Sequence, residues 1–295
     1  MNYKKPTKAI ITDAGFASRF LPLTKTIPKA MIPMGAKPAM QLCVEECVDA
    51  GIEEIIIVAT PGTKSKEIYE DYFHNPSENV KNLLEKQGKE ERFTPIKQIQ
   101  NFPKITVIEQ DENLPYGNGS PIVSARSFIN DDEAFVVAYS DDIVFGRSAI
   151  KELIEAFDKY PDASAIISGQ MVPHAEIKKY ASIDYDAETK KLRGLVEKPS
   201  PEVAPSDFAS YGRYLLTPEI FNQLHSDQTG LDGELWTADG IARLIPTNRV
   251  YVKETTGYWM TTGDPKNYFL ALLQYTLDNS DYTDEIKQII NKKGI

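Results

Sequence analysis

The chain has 295 residues, 41% hydrophobic and 10% aromatic, so it can bury a full core as one large domain. Its net charge of −10 disfavours a long nucleic acid as partner, and apolar runs such as 55–59 fall far short of the roughly 20 residues that span a bilayer. Cys43 and Cys47, four apart, give neither a disulfide framework nor a paired-cysteine metal motif, and His74, His174 and His225 lie too far apart for a zinc site.

Residues 8–12 read as a short buried strand, followed by a glycine-containing loop over 13–38 and a helix from about 38 to 50, with Pro38 suited to its first turn and Gly51 just past its end. Lys4, Lys5 and Lys8 ahead of Ala9 imitate a leader, but Asp13 and Arg19 arrive before an apolar stretch develops, so a cytoplasmic location is expected. The next strand, 54–60, carries Ile55, Ile56, Ile57 and Val58; an uninterrupted apolar run fits a strand covered on both faces. Strand and helix signals then alternate: strand 105–110, helix 121–128, strand 134–139, helix 147–160. That order predicts an α/β fold with a doubly wound sheet flanked by helices. The polar stretch 75–101 reads as exposed helix and loop. Further strands are expected at 165–171, 182–186, 192–197 and 210–216, with a turn at Thr189, Lys190 and Lys191, and two amphipathic helices at 265–279 and 284–292 close the chain, packed on the body or on another subunit.

Charge is distributed unevenly. The first 40 residues hold Lys4, Lys5, Lys8, Arg19, Lys25, Lys29 and Lys37 against Asp13 alone, leaving about −16 on the remainder. Such local excess suits a small polyanion. Within it, Ala14, Gly15, Ala17 and Ser18 let backbone N–H groups approach an anion, and Arg19 and Lys29 add full charges. A triphosphate cradle and a plain tight turn after a strand are both open on loop composition alone. The loop is not a Walker A motif, and it lacks the three spaced glycines of a dinucleotide-binding fingerprint.

The string 14–33, with its small-residue loop, Arg19, Phe20-Leu21-Pro22, Thr24-Lys25 and Pro28-Lys29-Ala30-Met31-Ile32-Pro33, resembles the bacterial UTP–glucose-1-phosphate uridylyltransferases of the sugar-nucleotide pyrophosphorylase family. Later blocks continue the resemblance in order: Gln110 with Gly117-Asn118-Gly119, Ser140-Asp141-Asp142, Val196-Glu197-Lys198-Pro199, Gly212-Arg213-Tyr214, and Gly233-Glu234 with Asp239. The resemblance implies a mixed, mostly parallel, Rossmann-like (GT-A-like) sheet in one nucleotidyltransferase domain, with a nucleotide half at 1–145, a sugar half at 146–263 and C-terminal helices at 264–295. It implies UTP and glucose 1-phosphate as substrates, UDP-glucose as product, Mg²⁺ as cofactor, a homo-oligomer, and no nucleic-acid or membrane partner. By the same resemblance Ala14, Gly15 and Gln110 hold the base, and the Gly117–Gly119 turn passes the nucleoside. Arg19 and Lys29 bind the triphosphate and act in catalysis, and Asp141 ligates the metal. Glu197, Lys198, Gly212 and Glu234 meet the sugar phosphate.

Several positions depart from the family pattern. Thr261 stands where a second metal-binding aspartate is usual, so weaker metal binding is expected unless Asp142 or Asp264 supplies the missing charge. Ala17, Ala30 and Ala181 replace a usual Gly, Glu and Gly, Asp13 replaces a small apolar residue, and the segment 110–117 is about two residues longer. These departures leave two alternatives: the same reaction with dTTP or another sugar 1-phosphate, and a catalytically weak nucleotide-sugar-binding regulator.

Overall fold

The structure, a computed structural model, describes residues 3–230, 233–279 and 282–292. Nine strands form one sheet: β1 (Lys8–Asp13), β2 (Glu54–Ala59), β3 (Lys104–Glu109), β4 (Phe135–Tyr139), β5 (Ala165–Met171), β6 (Ala181–Tyr185), β7 (Leu192–Glu197), β8 (Phe208–Leu216) and β9 (Val250–Glu254). Along the sheet the order is β7-β6-β8-β4-β1-β2-β3, with β5 on the far edge of β8 and β9 outside β5. The pairings set β7 and β8 against the other strands, so the sheet is mixed but mostly parallel, as the sequence predicts.

The continuous apolar runs are explained by cover on both faces. Along β1 and β2, Ile10, Ile56 and Val58 enter a core with Ile122 of helix Ser120–Ser124 and Ile241 of helix Thr237–Leu244. Their neighbours Ile11, Ile55 and Ile57 enter a second core with Met40, Cys43 and Val44 of helix Ala39–Asp49 and Tyr69 of helix Ser65–His74. Successive side chains alternate faces, so every position after the first of each strand is buried, at about 1.5–3 kcal/mol for each large aliphatic side chain. Both cysteines lie buried in the second core.

Several features escape the sequence reading, among them helix Thr237–Leu244 and strand β9. Helix Ser65–His74 has no expected counterpart, and the helix expected over 121–128 is divided into an α-turn, Ser120–Ser124, and a 3₁₀ turn, Arg126–Phe128. A separate ribbon pairs Asp142–Phe145 with Tyr258–Thr261 and brings Asp142 opposite Thr261. Helix Pro265–Asn279 packs on the body: Ala271 joins Met34, Ile143 and Phe145, and the Tyr268 hydroxyl donates to Pro33 O at 2.7 Å. The tail thereby braces the segment that follows Lys29.

Strand β8 carries the irregularity that shapes the cleft. It pairs with β6 at Ala209 and Ser210 and with β4 from Arg213 to Leu216, and its register against β5 shifts between Ser210 and Tyr214. Tyr211 and Gly212 lie in that break, beside the carboxyl end of β4.

Candidate active site

The carboxyl ends of β1, β2 and β4 point the same way, and the loops that leave them form one wall of a two-lobed cleft, where ligands of open α/β sheets bind. The smaller lobe, about 390 Å³, is lined by Ala14, Gly15, Ala17, Lys29, Gly117 and Glu234 among others. The larger, about 730 Å³, is lined by Tyr180, Glu197, Tyr211, Gly212, Trp259 and Asp264 among others. Arg19, Asn118, Tyr139, Asp141, Lys198 and Trp236 line both, so these residues stand at the junction.

Lys29 and Asp141 meet at that junction, with Lys29 Nζ 2.6 Å from Asp141 Oδ2. Burial works against the Lys29 charge, yet the carboxylates of Asp141 and Asp13 outweigh it and hold the ammonium above its ordinary value. Burial likewise disfavours the Asp141 charge, but Lys29 more than offsets it and keeps the carboxyl below the usual range. Both groups are therefore ionised at neutral pH. Arg19 reaches the far side, with Nη1 3.5 Å from Gly263 O.

Asp13, the polar departure from the family pattern, lies behind Lys29. Its Oδ1 accepts from Ser140 Oγ at 2.7 Å, its Oδ2 from the Tyr69 hydroxyl, and its backbone oxygen from Thr60 Oγ1 at 3.0 Å. A buried carboxylate placed so ties together the ends of β1, β2 and β4 and the helix that starts at Ser65. Burial pushes its carboxyl up, with Lys29 acting against the rise.

The two consecutive aspartates after β4 have opposite fates. Asp142 turns inward: Oδ1 accepts from Trp259 Nε1 at 2.7 Å and Oδ2 from Gly212 N at 2.8 Å. Burial and the neighbouring Asp141 charge push its carboxyl up to about 6. It is not available as the second metal carboxylate. Asp264 accepts from Asn267 N at 3.0 Å and Asn267 Nδ2 at 2.6 Å and is occupied in capping the start of the last long helix. Thr261 Oγ1 accepts from Gly263 N at 3.1 Å and lies 3.4 Å from Asp141 O. Among the described residues no group of three or more His, Cys, Asp or Glu side chains converges as a metal site. One carboxylate beside a hydroxyl fits a Mg²⁺ ion that takes most of its ligands from substrate phosphates and water.

Beneath the cleft, Arg213 is fully buried. Its Nε donates to Glu46 Oε2 at 2.9 Å, Nη1 to Tyr139 O at 3.0 Å and Gly212 O at 2.8 Å, and Nη2 to Asp142 O at 2.7 Å. One guanidinium thus joins β4, the break in β8 and the start of the ribbon, which places Asp141 relative to the larger lobe.

The glycines have internal reasons as well as their expected ligand roles. A Cβ on Gly212 would come within 2.3 Å of Tyr139, and one on Gly117, at φ +136°, within 2.4 Å of Leu235 O. Gly119 N donates to that same oxygen at 2.8 Å and lines neither lobe; Gln110 lines neither. Lys198 holds a left-handed backbone at φ +44°, and its Nζ sits 3.8 Å from the Trp236 ring centroid. Glu234, expected at the sugar, lines the smaller lobe. Sequence reasoning did not single out Asn118, whose Oδ1 accepts from Thr237 N at 2.8 Å, nor the aromatic group in which Trp259 stacks on Tyr211 and meets Tyr180 edge-on. The Gly-Asn-Gly turn carried a signal for the first; the second is assembled from three distant segments.

The family model described as nucleotidyl transferase matches residues 8–277. The UTP–glucose-1-phosphate uridylyltransferase of Bacillus subtilis (strain 168) is 37% identical over 99% of this chain and 100% of its own length. Among solved structures, a UTP-bound UGPase from Acinetobacter baumannii superposes with a TM-score of 0.84 at 30% identity, covering 97% of this chain and 98% of that one. A UDP-glucose pyrophosphorylase complexed with UDP-glucose superposes at 0.80 with 31% identity, covering 93% and 100% respectively.

Proposed function

Because the chain belongs to the nucleotidyl transferase family, we propose that it transfers the uridylyl group of UTP to glucose 1-phosphate, forming UDP-glucose and pyrophosphate. The observation that carries this reading is the Lys29–Asp141 pair, with Arg19 beside it, at the junction of the two lobes. In this reading the smaller lobe takes the nucleotide at Ala14, Gly15 and Gly117, and the larger takes the sugar phosphate at Glu197, Lys198 and Gly212. Gln110 at the base and Glu234 at the sugar hydroxyls keep the roles that the resemblance implies, with Glu234 reaching the junction from the smaller lobe.

The chemistry requires a phosphate dianion to approach the α-phosphorus of a polyanion. Two like charges at about 4 Å repel by about 4 kcal/mol at an effective dielectric of 20. Lys29 and Arg19 offset that repulsion and stabilise the charge that accumulates on the departing pyrophosphate. The attacking phosphate oxygen is already ionised, so no general base is needed. The remaining task is to hold nucleophile and leaving group in line, which the junction residues do by position. Asp141 would hold Mg²⁺, which when bound neutralises phosphate charge; Asp142 serves instead to fix Gly212 and Trp259.

The test is pyrophosphate release from UTP and glucose 1-phosphate with Mg²⁺, run beside dTTP and a panel of sugar 1-phosphates. Turnover with the first pair, lowered at least about 100-fold in Lys29→Ala with the fold intact by circular dichroism, supports the assignment. Faster turnover with dTTP or another sugar favours the corresponding alternative. Tight UDP-glucose binding without turnover on any pair favours the regulator.

A further inference from the structure

Phe16 and Tyr116 are both exposed, at 63% and 54%; Tyr116 lines the smaller lobe, and Phe16 lines the adjoining cavity, between Gly15 and Ala17, which line both. Phe16 belongs to the turn after β1, and Tyr116 to the segment that is longer than the family pattern. Their ring planes lie only 13° apart and their centroids 6.5 Å apart. Stacked bases lie about 3.4 Å apart, so the centroid separation is about two stacking intervals, and two such near-parallel rings can admit one planar ring between them. Neither ring hangs from slack backbone. Gly15 O accepts from Thr60 Oγ1 at 3.2 Å just before Phe16, Ala17 after it is held left-handed at φ +48°, and Tyr116 O accepts from Leu235 N at 2.7 Å.

We propose that Phe16 and Tyr116 clamp the base of the bound nucleotide between their rings. This rests on the smaller lobe being the nucleotide side. Stacking on a π-face is tolerant of base identity, so the clamp contributes affinity for nucleotide over bare phosphate and little choice among bases.

The test uses the full-length protein and Phe16→Ala, Tyr116→Ala and the conservative Phe16→Tyr and Tyr116→Phe. Both side chains are exposed, so truncation leaves the core untouched. Calorimetric titration with UTP, dTTP and inorganic triphosphate should show each alanine variant binding both nucleotides at least about fivefold more weakly, with inorganic triphosphate unaffected and kcat at saturating UTP retained. The conservative variants should bind as wild type. Wild-type UTP affinity in both alanine variants overturns the clamp and leaves the nucleotide reading standing. A wild-type protein that binds inorganic triphosphate but no nucleotide overturns both.

Discussion

Replacing Thr261 by aspartate tests how the metal is held. Thr261 Oγ1 and Asp141 Oδ2 each lie 3.2 Å from the point that a Cβ on Gly263 would occupy, so the two side chains are no more than about 6 Å apart. Two carboxylates at that separation repel by about 3 kcal/mol at an effective dielectric of 20. Lys29, already 2.6 Å from Asp141, offsets part of this, and partial solvent exposure screens more. A metal-free cost of about 1–2 kcal/mol is therefore expected, a fall in Tm of a few degrees for a chain of this size. A divalent ion reverses the sign, because the same pair then attracts it, and at about tenfold excess over Kd binding contributes about 1.4 kcal/mol. Thermal unfolding of wild type and Thr261→Asp, in chelator and in Mg²⁺, should show a lower metal-free Tm and a larger Mg²⁺ response in the variant. Half-saturation of turnover should also fall to lower Mg²⁺. Identical Mg²⁺ responses in the two proteins would refute the placement of the ion between these side chains.

Three further outcomes are expected. Arg213→Met strands the Glu46 carboxylate and the carbonyls of Tyr139, Gly212 and Asp142, costing about 3–5 kcal/mol in urea unfolding; a loss below about 1 kcal/mol would show that the network adds nothing. Gly212→Ala drives a methyl into Tyr139 and should cost about 1–3 kcal/mol even without substrate, whereas a purely sugar-facing glycine would leave the stability of the free protein unchanged. Burial pushes the Cys43 thiol up to about 12 and Cys47 well above its ordinary value, so a thiol-specific reagent at pH 8 should label neither until the chain is unfolded. The unfolded thiols ionise near pH 8.5 while the folded ones stay protonated, so stability should fall as pH rises past that point; labelling of the native protein at the unfolded rate would contradict their burial.

The order of strands and helices was legible because the central strands are covered on both faces, which forces unbroken runs such as Ile55 to Val58. The departures came where that signal is weak. Helix Ser65–His74 buries only Ser65, Tyr69 and Phe73, too sparse a stripe to stand out among polar neighbours. The stretch 121–128 has helical composition, yet Ala125 N divides its donation between Pro121 O at 3.3 Å and Ile122 O at 3.2 Å, and Phe128 N then bonds Ala125 O at 3.0 Å in the tighter 3₁₀ pattern.

By itself the sequence determined the α/β class and which charged residues the cleft draws on, since a cationic loop after the first strand and an aspartate after an apolar strand are local facts. Only the tertiary structure decided which neighbour does what. Asp141 and Asp142 are alike in sequence, and the choice between them depends on Lys29, Gly212 and Trp259, which approach from three remote segments. Asp13 reads as an anomaly until Tyr69 and Ser140 close around it, and Arg213 is only one residue of a matching block until Glu46 and three carbonyls enclose it. The physical reason is common to all: a charge is assigned its role by the partners and the burial it meets, and those are properties of distance in space rather than along the chain.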